Sequence, residues 1–356
     1  MLKHLVHNAR SLQTLRLSRL STSSTVSSMS PVTTKGRSIR LVLDFDGTLS
    51  KTDTLKPLAE IGYAHAARET PSRQVKPWSE IVDAYMADYR KHDESYSPDK
   101  GERKSFEQQR DWLNSLLPIE RASAERAVGA GVWDGVSRDE ITSAAEQSIQ
   151  SGEIVLREGC QDVVSRIIKS SGTVDVVSVN WSRWWIWSLL RASWQQWRES
   201  KANKVGYKEG DALGAVALFA NELPHLNRPA GHEESQQVPL GEDTELRISG
   251  DKLRCVRRGR TGHQDEEEAA PFVIYVGDSI TDLECLIEAD LGICIVNDNS
   301  LSGTQRELAG ALEGMGVKVE GIESLNAGHK HGKRRLVTAK DFVEIENFVF
   351  GHIVGS

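Results

Sequence analysis

Residues 39–49 read Ile39-Arg40-Leu41-Val42-Leu43-Asp44-Phe45-Asp46-Gly47-Thr48-Leu49, an apolar run that stops abruptly at two carboxylates. A short apolar run bounded by a turn signal predicts a buried strand. Gly47 and Thr48, directly after the second carboxylate, supply that signal. In an open α/β sheet, ligands bind just beyond the carboxyl ends of the strands, so Asp44 and Asp46 are expected to project where chemistry takes place. Carboxylates two residues apart can share a divalent cation, one through its side chain and one through its backbone. A strand ending in solvated aspartates is the bland alternative, and for an isolated Asp-x-Asp it would prevail.

A second stretch repeats the pattern far downstream. Phe272-Val273-Ile274-Tyr275-Val276-Gly277-Asp278-Ser279-Ile280-Thr281-Asp282-Leu283 is again an apolar run ending in carboxylates, now spaced as Gly-Asp-x-x-x-Asp. Gly277 permits a tight exit from the strand. Between the two lies Val174-Asp175-Val176-Val177-Ser178-Val179-Asn180, a predicted buried strand closing on the hydroxyl of Ser178. Leu291 to Val296 predicts a further strand. Lys252 precedes the second acidic run, but one lysine among many carries almost no information alone.

Residues 54–156 carry helical rather than strand signals. Trp78, Ile81, Val82, Tyr85, Met86 and Tyr89 recur at helical spacing. Pro118 suits a first helical turn, and Ser137 with Glu140 three residues later suits a capped helix start. Six of the nine tryptophans lie between Trp181 and Trp197, where Ser182 can cap a helix beginning at Arg183. A tryptophan stripe is more often core packing than a binding box; Trp181 is the member nearest the expected site. Residues 224–245 and 257–270 are polar and read as surface loops.

Composition narrows the classes. The chain has 356 residues, 38% hydrophobic and 27% charged, enough for one large domain or two medium ones. No stretch approaches the ~18 consecutive apolar residues of a membrane helix. Cys160, Cys255, Cys285 and Cys294 are scattered, which argues against a disulfide framework or structural zinc site. The formal net charge is −7, yet residues 1–43 hold seven Lys/Arg and no Asp or Glu, so the remaining body is more acidic still. That body argues against nucleic acid as the main partner. The N-terminal segment is amphipathic, basic and Ser-rich, the signature of a mitochondrial presequence. A start at Met29, with a cytoplasmic product, is the alternative.

The string Asp44-Phe45-Asp46-Gly47-Thr48-Leu49, the Ser178 strand end, Lys252 and the Gly277-to-Asp282 run resemble, in order, the four motifs of the haloacid dehalogenase (HAD) superfamily. The long helical insertion after the first motif resembles the cap of its phosphoserine-phosphatase-like branch. Val177 to Ser182, Ala220 to Leu223 and Gly277 to Ile295 look most like the phosphatase half of plant thiamine monophosphate phosphatases and related fungal proteins.

The resemblance implies an α/β fold: a Rossmann-like core with a parallel sheet and an inserted helical cap. After the targeting or disordered segment (1–36) read from composition, it divides the chain into a first core part (37–53), a cap (54–156) and a second core part (157–356). It implies Mg²⁺-dependent hydrolysis of a small phosphomonoester through an aspartyl-phosphate. Asp44 would be the nucleophile and Asp46 the general acid/base. Ser178, Lys252, Asn180 and the backbone of Gly47 and Thr48 would hold the phosphoryl group. The metal set would be Asp44, Asp46 through its backbone carbonyl, Asp278, and Asp282 through the metal's water shell or by orienting Lys252. A phosphotransferase or phosphomutase using the same carboxylates, or a non-enzymatic regulatory protein of the same fold, are the competing readings.

Overall fold

Strands β1 (Ile39–Leu43), β2 (Thr173–Val177), β3 (Val216–Phe219), β4 (Phe272–Gly277), β5 (Leu291–Ile295), β6 (Glu320–Gly321) and β7 (Arg335–Ala339) form one sheet in the order β3-β2-β1-β4-β5-β7-β6. Every pairing is parallel. The computed structural model describes residues 37–202, 212–226, 245–261, 270–297, 300–327 and 335–353. The expected presequence, residues 1–36, lies outside the described residues, as do most of the two expected polar loops.

β1 is an interior strand because its sequence can be buried on both faces. All five of its residues are buried, with Leu41, Val42 and Leu43 fully so. Burying each such side chain contributes about 1.5–3 kcal/mol. Arg40 is the polar exception. Its Nε donates to Asp175 Oδ2 on β2 at 2.7 Å, and its other nitrogens reach the carbonyls of Val256 and Cys255. A buried charge is tolerable only with such partners.

The register aligns the functional strand ends. Leu43 pairs with Val176 on one side and Val276 on the other. Asp44, Ser178 and Asp278 therefore emerge at one edge of the sheet. The chain runs from β1 to β2 and β3 on one side and returns to β4 on the other. The β1/β4 gap is thus the switch point at which α/β sheets bind ligands.

Between the first two strands run six α-helices, and the first five lie between residues 54 and 156: α1 (Leu55–Glu69), α2 (Trp78–Ser95), α3 (Phe106–Ser115), α4 (Leu117–Gly129) and α5 (Arg138–Ser151). Ser105 and Ser137 cap α3 and α5, accepting from the backbone N–H of Gln108 and Glu140, whose side chains reach back. The two ends of this insertion meet: Ser50 pairs antiparallel with Leu156, Lys51 N donates to Val155 O, and Arg157 N donates to Leu49 O. Helix α6 (Cys160–Lys169) leads back to the sheet.

The Trp-rich helix is α7 (Arg183–Ala202), started by Ser182, whose Oγ accepts from Trp185 N at 3.1 Å. It packs lengthwise on α5, where Trp184 Nε1 donates to Arg138 O and Thr142 Oγ1. Trp181, Trp78 and Trp133 form a triad of edge-to-face rings with centroids 5.8–6.2 Å apart. It joins the insertion to the loop after β2.

Several elements went unanticipated. α8 (Ser249–Thr261) carries Lys252 in its first turn and continues through residues 257–261, where a loop is expected. Its buried apolar residues are few, Leu253, Cys255 and Val256, and arginines surround them. The helical period is therefore weak. β3, β6, β7, α9 (Leu283–Glu288), α10 (Gly303–Gly314) and α11 (Phe342–Phe348) are short or half-buried and left no clear pattern.

Candidate active site

Asp44 leaves β1 with its backbone N–H still donating to Val276 O at 2.9 Å, so the side chain is fixed by the sheet ladder. Its Oδ1 lies 2.7 Å from Lys252 Nζ. The same ammonium lies 2.8 Å from Asp282 Oδ1. All three side chains are buried. Asp282 also accepts from Tyr275 Oη, from the backbone N–H groups of Asp278 and Ser279, and from Ser279 Oγ. Its lone pairs are thereby filled. Asp282 stands behind Lys252 and aims it at Asp44.

Electrostatics follow from this packing. Burial, with Asp282 and Asp278 nearby, raises the Asp44 pKa well above the usual carboxylate range, against the pull of Lys252. Burial also opposes ionisation of Asp282, but Lys252, Tyr275 and the Ser279 N–H overcome it and lower its pKa. Burial disfavours the Lys252 ammonium, yet Asp282 and Asp44 more than compensate and raise its pKa.

Asp46 belongs to a second network. Its Oδ1 accepts from Thr54 N at 2.9 Å and Thr54 Oγ1 at 2.7 Å, and its Oδ2 accepts from Asn180 Nδ2 at 2.8 Å. Burial raises its pKa in spite of these hydrogen bonds. Asn180, expected on the phosphoryl group, instead directs its amide at Asp46 and Thr54 and accepts from Ser182 N. Ser178 is buried beside it, with Oγ accepting from Asn180 N at 3.1 Å.

Asp278 sits against the turn after β1. Gly47 has φ +78°, and a Cβ there would lie 2.4 Å from Asp278 Oδ2, so only glycine allows this approach. Thr48 Oγ1 and Thr304 Oγ1 each donate to Asp278 at 3.3 Å. Burial and the neighbouring Asp282 push its pKa up to about 7.

Asp44, Asp278 and Asp282 each offer an oxygen within 4.8 Å of the others. Three carboxylates against one ammonium leave excess negative charge in a buried space, and carboxylate oxygen suits a small hard dication. The residues present therefore fit Mg²⁺ chemically. With Asp282 occupied by its donors, Asp44 and Asp278 are the side chains available to hold it.

Sequence reasoning missed Thr54, Tyr275 and Thr304. Thr54 directly precedes α1 and could have been noticed as a helix-start residue; the other two carry no local signal. Among the described residues, no helix is long and apolar enough to cross a membrane.

No family model matches the chain. A curated protein, the bifunctional TH2 protein, mitochondrial, of Arabidopsis thaliana, is 24% identical over 331 residues, covering 86% of this chain and 48% of that protein. The chain thus spans about half the length of the curated relative it matches. Among solved structures, a phospho-aspartyl intermediate analogue of phosphoserine phosphatase aligns over 88% of this chain and 99% of its own, at 14% identity and TM-score 0.38. A protein with unknown function from Bordetella pertussis Tohama I aligns over 79% and 97%, at 15% identity and TM-score 0.43. Cytosolic 5'-nucleotidase IIIB bound to cytidine aligns over 88% and 85%, at 12% identity and TM-score 0.41. Four motifs in order on a parallel α/β sheet, together with the TH2 match, make this a chain that resembles the phosphatases of the haloacid dehalogenase superfamily.

Proposed function

We propose that the protein hydrolyses a small phosphomonoester through a phosphoaspartate formed on Asp44, with Mg²⁺ as cofactor. The observation that carries this reading is the separation of two nearby carboxylates into two networks: Asp44 faces Lys252, and Asp46 faces Thr54 and Asn180. Phosphoryl transfer with a covalent intermediate needs two such groups in different roles, one to attack and one to move protons.

In this reading Lys252 holds Asp44 Oδ1 and leaves Oδ2 for in-line attack on phosphorus. The P–O bond to the leaving group breaks as the Asp44 O–P bond forms. Asp46, whose pKa burial raises, protonates the leaving oxygen. It then takes a proton from the water that hydrolyses the acyl phosphate. Ser178, Lys252 and the N–H groups of Gly47 and Thr48 hold the non-bridging oxygens. Mg²⁺, held by Asp44, Asp278 and the Asp46 carbonyl, would neutralise charge between the carboxylates and the phosphate dianion.

Residues 37–53 and 157–356 are read as the core and residues 54–156 as a cap over the strand ends. Such a cap suits a small substrate that it can enclose. A thiamine-phosphate-like ester is one candidate. A mitochondrial location is in keeping with the basic N-terminus and with the name of the TH2 relative.

The test is phosphate release by the full-length protein over a panel of small phosphate esters with Mg²⁺. Turnover of at least one ester, lost in a folded Asp44→Asn variant, is expected, because an amide is a poor nucleophile. Absence of release from every ester, or undiminished turnover by Asp44→Asn, would overturn the reading.

A further inference from the structure

Arg157 follows the Leu156 bridge to Ser50, where the helical segment returns to the turn after β1, and its side chain is buried. Its guanidinium donates to three backbone carbonyls and to one side-chain amide. Nη2 donates to Gly47 O at 2.8 Å and Nε donates to Thr48 O at 3.1 Å. Nη1 reaches Lys340 O at 3.3 Å, just past β7, and Nη2 also reaches Asn297 Oδ1 at 3.2 Å, just past β5. One side chain thus ties the turn after β1 to the ends of two other strands.

A peptide group is a rigid plane in which the carbonyl of one residue and the N–H of the next point in opposite directions. Fixing Gly47 O therefore fixes the Thr48 N–H, and fixing Thr48 O fixes the Leu49 N–H. Gly47 is in the left-handed region, where a glycine has wide torsional freedom. Without an external hold, this peptide is the part of the turn most able to rotate. Ser50 Oγ, 3.4 Å from Gly47 N, touches only the preceding peptide, and Asp278 packs against the Gly47 Cα.

We infer that Arg157 is a positioning residue for phosphoryl transfer: by gripping the carbonyls of Gly47 and Thr48, it aims the Thr48 N–H at the phosphoryl oxygens. The inference rests on the phosphatase reading above. It also assigns a mechanical link, because Arg157 N donates to Leu49 O at 2.7 Å while its side chain holds the two preceding carbonyls. The returning segment at Leu156–Arg157 and the turn bearing Asp46 must then move as one piece. Lysine cannot replace this grip, since it lacks the planar fork that serves two carbonyls at once.

The experiment compares full-length wild type, Arg157→Lys and Arg157→Ala for kcat and KM on whichever ester the panel identifies, with folding checked by circular dichroism. Loss of one oriented oxyanion donor lowers turnover by roughly 10²–10³-fold. Arg157→Ala is therefore expected to lose kcat on that scale with KM nearly constant, and Arg157→Lys to fall between. A kcat within threefold of wild type in folded Arg157→Ala would overturn the inference. So would a rise in KM with kcat unchanged, which would make Arg157 a substrate-binding group. A crystal structure of Arg157→Ala reads the inference without turnover: a rotated Gly47–Thr48 peptide supports it, and an unmoved one overturns it. A wild type inactive on every ester would remove the phosphatase reading and this inference with it. An active wild type beside an equally active Arg157→Ala would remove this inference alone.

Discussion

Lys252 Nζ lies 2.7 Å from Asp44 Oδ1, and the pair is buried at the carboxyl end of β1. The geometry makes Lys252 the counter-charge on which a cluster of acids depends. Breaking a buried pair by removing one partner costs about 3–5 kcal/mol, because the other charge is left uncompensated. Lys252→Met should therefore destabilise the metal-free protein on that scale and abolish turnover. Chemical denaturation of the two proteins in EDTA measures it. A midpoint equal to wild type would mean that Asp44 and Asp282 are not held as charges.

Asn180 and Thr54 invite a second test. If they hold Asp46 for proton transfer, Asn180→Ala should lower kcat more for esters with poor leaving groups than for p-nitrophenyl phosphate, whose leaving oxygen needs little protonation. The ratio of the two rates is the readout. An equal loss on both substrates would place Asn180 elsewhere in the mechanism.

How much of this site was legible beforehand differs from residue to residue. Asp44, Ser178 and Asp278 terminate strongly apolar strands, so pattern alone brings them to one edge, and the register agrees. Lys252 could not be read this way. It sits on a helix with few buried apolar residues, in a stretch dominated by arginine. Only the tertiary fold distinguishes it from its neighbours. The family resemblance implies a phosphoryl contact for Asn180, but a motif position on an extended segment does not set the direction of a side chain. Its side chain turns toward Asp46. The partners of Asp282 were equally hidden, because two of the five donors are backbone N–H groups of a turn.

The acid cluster links stability to pH and metal. Asp278 has its pKa raised to about 7 by burial and by Asp282, and Asp44 is raised as well. In the unfolded chain both groups ionise near the ordinary aspartate value of about 4. Between these limits the folded form binds more protons than the unfolded form. The metal-free protein should therefore lose stability as pH rises through that window. Mg²⁺ competes with those protons, so its stabilising effect should grow over the same range. The Tm increment from Mg²⁺ is expected to be small at about pH 5 and larger at about pH 8. Asp278→Asn should flatten the decline and remove the increment. An increment of equal size at both pH values would contradict a metal site at Asp278.

Trp181 allows the packing and binding roles of the aromatic cluster to be separated. It follows Asn180 directly, close enough to the proposed site to suggest stacking on a leaving group. Yet it is 4% exposed, and its ring stands edge-on to Trp78 and Trp133 at 6.0 and 5.8 Å. Such pairs contribute about 0.5–1.5 kcal/mol beyond their burial. A cavity of about 230 Å³ does reach Trp181, bounded by Arg121, Glu222, Leu223 and Arg247, so a binding role has a physical opening. The packing role implies that Trp181→Ala loses about 3–5 kcal/mol. Trp181→Phe should retain most of the stability, and neither variant should change KM more than about threefold while folded, since less than ~0.7 kcal/mol of binding would be at stake. Denaturation midpoints and KM for the two variants decide it. A tenfold higher KM in Trp181→Phe, at wild-type stability, would transfer Trp181 from the joint between insertion and sheet to the substrate.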